Sequence, residues 1–140
     1  MKILKLGQML GGSNAPSGAA ADLNFTFSVN TATAGSTTST QFQLPFVSIG
    51  FTTVDVDWGD GNTDTITTWN QAETLHTYSA SGIYTIKIAN VVNAFQFGGA
   101  GDKDKLNVVS NCGQLNLNTA LAFNGCSNMT WTATDAPTIS

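Results

Sequence analysis

Between residues 54 and 58, apolar side chains occupy every second position and lead into a glycine-rich turn, a pattern few folds accommodate. Val54, Val56 and Trp58 alternate with Asp55 and Asp57. The turn Gly59-Asp60-Gly61-Asn62 follows, and Thr63 to Trp69 reads as the return strand. Successive side chains of a strand point to opposite faces, so a period of two buries one face and wets the other. Asp-Gly between two such runs predicts a hairpin, because glycine reaches the positive φ that the turn requires. The same period recurs at Leu23, Phe25, Phe27 and Val29, at Phe42, Leu44 and Phe46, and at Tyr84, Ile86 and Ile88. Beside Pro45 the apolar phase slips to Val47, Ile49 and Phe51, which predicts a bulge or an edge strand. Thr31 to Thr40 is rich in Gly, Ser and Thr and reads as a loop. No amphipathic helix pattern precedes residue 90. Short strands at close spacing predict an all-β chain, with a β-sandwich over residues 23–90.

Composition narrows the function classes. Only 10% of the 140 residues are charged, against a globular norm of about 25%. Thr, Ser, Asn and Gly fill the polar positions, which suits a β-protein outside the cytoplasm better than a metabolic enzyme. The five Lys and Arg residues are dispersed and the net charge is −4. Nucleic-acid binding needs a basic face, so no nucleic-acid partner is expected. No apolar run approaches the roughly 18 residues of a membrane-spanning helix.

Residues 1–22 form a separate unit. Met1 to Leu10 is basic and apolar, and Gly11 to Ala21 reads as a linker. Lys5 and Gln8 interrupt what a secretion signal would keep apolar. Leu4, Leu6, Met9 and Leu10 then read as anchors of a docking arm, because a segment this short has no core of its own. Cys112 and Cys126 are too few for a disulfide framework, and with His76 they make no zinc site. They read as small buried apolar residues in matching places of a repeat, with a disulfide as the alternative.

Two segments carry a family resemblance. Val56-Asp57-Trp58-Gly59-Asp60-Gly61 is followed by His76-Thr77-Tyr78-Ser79-Ala80-Ser81-Gly82-Ile83-Tyr84-Thr85-Ile86. Together they resemble the PKD domain, whose signature is a W/F-G-D-G turn and then H-x-Y-x-x-x-G-x-Y-x-V. The resemblance covers residues 23–90 and implies an immunoglobulin-like β-sandwich. The chemistry of each position agrees. Trp58 would supply the largest block of core surface. Asp60 would bond to backbone amides of its turn, and Gly59 and Gly61 would take its backbone angles. Gly82 would allow a tight corner. Tyr78 and Tyr84 would bury their rings while their hydroxyls reach a backbone group, as in a tyrosine corner.

Catalytic and metal readings of the same residues are weaker. His76 with a neighbouring aspartate would form a dyad, but the resemblance gives this histidine a structural place and no motif position supplies a nucleophile. Asp55, Asp57, Asp60 and Asp64 would offer oxygens to Ca²⁺, which takes six to eight of them at about 2.3–2.6 Å. Their spacing is not that of an EF-hand, and Asp55 and Asp57 would face solvent on one strand. No catalytic residue, metal or cofactor is expected.

Residues 91–140 read differently. Apolar doublets recur at Leu106 and Val108, Leu115 and Leu117, and Met129 and Trp131. Ala122-Phe123-Asn124-Gly125-Cys126-Ser127-Asn128-Met129-Thr130 resembles the BspA-like leucine-rich repeats of surface proteins, with their F-x-x-C-x-x-L core. The resemblance covers about residues 105–140. The step from Cys112 to Cys126 is 14, whereas such repeats run to about 20 or more. A solenoid needs about three repeats and a cap, so the natural polypeptide is expected to be longer.

The expected organisation is therefore a docking arm and linker (1–22), a PKD-like sandwich (23–90) and the start of a repeat region (91–140). The expected function is that of a non-catalytic structural or adhesive module of a bacteriophage virion, such as a head fibre, decoration or tail-associated protein. It would hold other virion proteins through residues 1–22, form a homo-oligomer within the assembly and meet a host-surface glycan or protein. The alternative is a bacterial cell-surface adhesin or an accessory module of a secreted hydrolase.

Overall fold

The computed structural model describes residues 20–140. The docking arm read at Leu4, Leu6, Met9 and Leu10 lies outside the described residues. Those residues form ten strands and two single-turn 3-10 segments, with no α-helix among them. The strands are β1 (Phe25–Asn30), β2 (Gln41–Gln43), β3 (Val54–Asp57), β4 (Thr63–Ile66) and β5 (Leu75–Thr77). They continue with β6 (Ile83–Ala89), β7 (Leu106–Asn111), β8 (Asn116–Leu117), β9 (Thr130–Trp131) and β10 (Thr138–Ile139).

Six strands make the main sheet in the order β4-β3-β6-β1-β7-β9. Its first five strands are antiparallel, and β9 joins β7 in parallel. The alternation read from the sequence places its faces. Phe25, Phe27 and Val29 of β1, Val54 and Val56 of β3, and Ile86 and Ile88 of β6 are all buried. Asp55 and Asp57 on β3 and Thr85 and Lys87 on β6 are exposed. Each such apolar side chain taken from water contributes about 1.5–3 kcal/mol. The β2–β5 ribbon covers the apolar face, with Phe42 of β2 meeting Phe27 of β1 at 6.1 Å between ring centroids.

Beyond residue 90 the chain enters the same sheet and the same core. Strand β7 pairs with β1, and Leu106 and Val109 join the cluster of Phe25 and Phe27. Phe95 is the hub. Its ring lies 5.1–6.1 Å from those of Phe25, Phe27, Phe46, Phe97 and Phe123. Several of these contacts are edge-to-face, the geometry that the aromatic quadrupole favours.

Several local expectations are corrected. The return strand ends at Ile66, not Trp69, and Trp69 lies 42% exposed in the turn that follows. Strand β1 begins at Phe25, leaving Leu23 exposed. The alternation at Val47, Ile49 and Phe51 is not a strand. Val47 N–H bonds to the Ala94 carbonyl, Gly50 turns the chain at φ 81°, and Ile49 projects into solvent at 83% exposure. Gly82 takes no positive φ, so conformational freedom is not its role. Thr31 holds it instead, accepting its N–H at 2.9 Å and donating its own N–H to the Gly82 carbonyl.

The C-terminal third makes parallel pairings at a steady interval. Strand β7 pairs β9, β8 pairs β10, and Val92 bridges Leu115. The strand pairs are offset by 22 positions, Val108 to Thr130 and Asn116 to Thr138, and the Val92–Leu115 bridge by 23, as are the side-chain bonds from Asn116 to Asn93 and from the Cys112 N–H to Asp135. The two cysteines are not one step apart. Each instead accepts, through its carbonyl, the N–H of the residue three further on, Leu115 or Met129. Both thiols are free and buried. Burial pushes each of them up to about 11, with nearby carboxylates adding to it.

Candidate functional site

The motif residues converge on one interlock between the β3–β4 hairpin and β5–β6. Trp58 closes the hairpin through its backbone, its N–H donating to the Asn62 carbonyl at 3.1 Å. Gly59 and Gly61 lie at φ 82° and 94°. A Cβ at Gly59 would also run into the Thr85 carbonyl, so glycine is needed there twice over. Asp57 accepts the Gly59 N–H at 2.9 Å, and Asp60 accepts the Asn62 N–H at 3.0 Å. These are Asx-turns, in which a short carboxylate takes the place of a backbone acceptor.

The indole of Trp58 is fully buried and donates Nε1–H to Asp64 at 2.8 Å. His76, opposite Phe42 on β5, stacks on that indole with centroids 4.5 Å apart and planes 7° from parallel. Its Nε2 lies 2.8 Å from the Asp60 carboxylate. Tyr78 meets the His76 ring edge-on and donates its hydroxyl to the Trp58 carbonyl at 2.9 Å. Burial, with Asp60 adding to it, raises the Tyr78 phenol well above its ordinary range. Tyr84 stacks on Tyr78 at 3.8 Å and donates to the Ala80 carbonyl. The residues of the two motif segments singled out in the sequence, apart from Gly82, thus meet in one cluster. No family model, curated protein or solved structure matches this chain.

The cluster's chemistry is that of a fastener. Each of the four aspartates serves its own donors: Asp55 takes Thr65 and Asn90, Asp57 takes Gly59, Asp60 takes Asn62 and His76, and Asp64 takes Trp58. Carboxylates so committed do not converge on a cation. Among the described residues no three His, Cys, Asp or Glu side chains come together to hold a metal. His76 has Asp60 on its Nε2 and rings of Trp58 and Tyr78 against it, an arrangement that fixes an imidazole in place.

A second polar cluster had no signal in the sequence. Asp102 precedes the 3-10 turn Lys103–Lys105 and Lys105 ends it, and the two are 1% and 0% exposed. Asp102 accepts from Ser36, from the N–H and hydroxyl of Thr37, and from the Gln43 N–H. Lys105 donates to the carbonyls of Thr38 and Gln41 at 2.6 and 2.8 Å and to the Thr37 hydroxyl. The two charges pin the Gly/Ser/Thr loop to the C-terminal third. Charged side chains in a loop read as solvated, and only buried backbone needing partners reveals them.

Asp60 gives a pH signature. Burial alone would raise its pKa, but hydrogen bonds from His76 and Asn62 outweigh it and hold the carboxyl below its ordinary value of 3.8. A depressed folded-state pKa stabilises above the unfolded value and is lost as pH falls through the folded one. At neutral pH, Asp60→Ala is expected to lower stability by about 0.5–1.5 kcal/mol. The gap between the two proteins should close below about pH 4 in urea titrations. Their melting temperatures should be the same in calcium and in chelator. A calcium-dependent rise in the parent would mean that these aspartates hold an ion.

Proposed function

We propose that this chain is a non-catalytic structural or adhesive module of a bacteriophage virion: a head fibre, decoration or tail-associated protein. Its sandwich is of the immunoglobulin-like PKD type. The observation that carries this reading is the interlock itself. Trp58, Asp60, His76, Tyr78 and Tyr84 bond or stack with one another or with backbone, which suits a spacer rather than a reactive site. The ribbon over the main sheet and the Tyr78 hydroxyl on the Trp58 carbonyl agree with a sandwich fastened by a tyrosine corner. In this reading residues 1–22 dock to other virion proteins, within a homo-oligomeric assembly, and the far end meets a host-surface glycan or protein.

The parallel interval of 22–23 favours a second reading, in which residues 91–140 begin a BspA-like repeat array of a bacterial cell-surface adhesin. That step lies in the range of leucine-rich repeats of about 20–29 residues, although the cysteines alone misplace it. A PKD module accessory to a secreted hydrolase belongs to the same class.

Deletion of residues 1–12 separates these readings. The virion reading expects the shortened chain to melt within about 2 °C of the parent, since a shift under about 0.5 kcal/mol moves a domain of this size little. It also expects the shortened chain to stop co-sedimenting with assembled particles. Undiminished incorporation, or a large loss of stability, would remove the docking role.

A further inference from the structure

Trp69 is held in water by a turn that is otherwise tightly tied. Its neighbour Gln71 accepts the N–H and hydroxyl of Thr67 and donates to the Thr65 carbonyl at 3.0 Å. Thr74 donates its hydroxyl to the Gln71 carbonyl at 2.7 Å and accepts from the Gln43 side chain at 2.7 Å. The tied turn therefore presents the Trp69 indole, 42% exposed, over an open groove of about 590 Å³. Pro45, Phe46 and Leu75 supply the apolar walls, and Asn70 and Gln43 supply amides. No lining side chain bears a charge.

This lining selects by chemistry. A charged ligand would find no counter-ion. An extended peptide gains most by laddering onto free backbone groups, but much of the backbone here is already paired. Leu44 N–H bonds to Thr74, Thr74 N–H to Gln71, and Gln71 N–H to Thr68. What remains is an exposed aromatic face beside an exposed amide that both donates and accepts. A neutral sugar offers the complement, an apolar C–H face edged by hydroxyls, and a preorganised site loses least on binding it. We propose that this groove binds a neutral glycan, with a sugar ring on Trp69 and its hydroxyls on Asn70. The proposal rests on the adhesive half of the proposed function and supplies the class of its partner.

The test titrates the 140-residue chain with cellohexaose, chitohexaose and mannohexaose, with hexagalacturonate as an acidic control and a proline-rich peptide as a protein-like one. Calorimetry and tryptophan fluorescence read binding. At least one neutral hexasaccharide should bind, and Trp69→Ala should weaken it by roughly tenfold or more, the scale of one lost aromatic contact. Trp69→Phe should retain part of the affinity. Trp131→Ala, which removes a tryptophan 40% exposed outside the groove, should retain all of it. No neutral binding, binding indifferent to Trp69→Ala, or preference for the acidic sugar or the peptide would overturn the proposal while leaving the scaffold reading intact. Cleavage of a bound hexasaccharide would uphold the groove and overturn the non-catalytic reading instead.

Discussion

Trp58→Ala is expected to destabilise the fold by about 3–5 kcal/mol, the range for removing a large enclosed aromatic. The indole is fully buried, so its loss opens a cavity in the inner face of the sheet. It also strips His76 of its stacking surface and leaves Asp64 without its indole donor. Trp58→Phe should be milder. A phenyl ring keeps part of the stack and most of the volume, but still loses the bond to Asp64, worth about 0.5–1.5 kcal/mol. Urea denaturation of the three proteins, with slopes compared to exclude a change in the unfolded state, reads the order directly. A Trp58→Ala protein within about 1 kcal/mol of the parent would mean that the hairpin is not fastened at this residue.

What the sequence made legible follows from how each feature is stabilised. Strands β1, β3 and β6 have one wet face and one dry one, so their period of two is written in the residue types. The hairpin and its fastener were legible because positive φ needs glycine and a closed turn needs a short carboxylate, at Gly59, Asp60 and Gly61. The alternation at Val47, Ile49 and Phe51 misled because a pattern does not provide a partner strand, and Val47 makes one bond to Ala94 before the chain turns. Phe95 carries no periodic signal, since it sits in a loop and is buried by residues distant in sequence. The parallel step was hidden because the conspicuous residues, Cys112 and Cys126, mark local turns. The residue one step beyond Cys112 is Asp135, whose carboxylate takes the N–H groups of Cys112 and Gly113. The bond from the Cys112 N–H first, joined by that from Gly113, outweighs burial and holds Asp135 below the usual carboxylate range.

Asp102→Ala is expected to rival Trp58→Ala, at about 3–5 kcal/mol, because it breaks a buried charged network from one side. Four donors on Ser36, Thr37 and Gln43 lose their acceptor at once. The Lys105 ammonium, with no exposure to water, loses the one carboxylate near it. Burial lowers the Lys105 pKa and the charge of Asp102 opposes that, so the carboxylate supports the buried ammonium. Lys105→Met should therefore be the milder change, at about 1–2 kcal/mol. It removes the charge that was hard to bury and leaves the Thr38 and Gln41 carbonyls short of a donor. The two side chains meet through the Thr37 hydroxyl, which donates to Asp102 at 2.7 Å and accepts from Lys105 at 3.0 Å. The double variant should thus be more stable than the sum of the single losses, by about 0.5–3 kcal/mol of coupling. Additive losses would show that the two charges act independently. A nearly neutral Asp102→Ala would show that water reaches this loop, and that the C-terminal third is not pinned to the sheet through it.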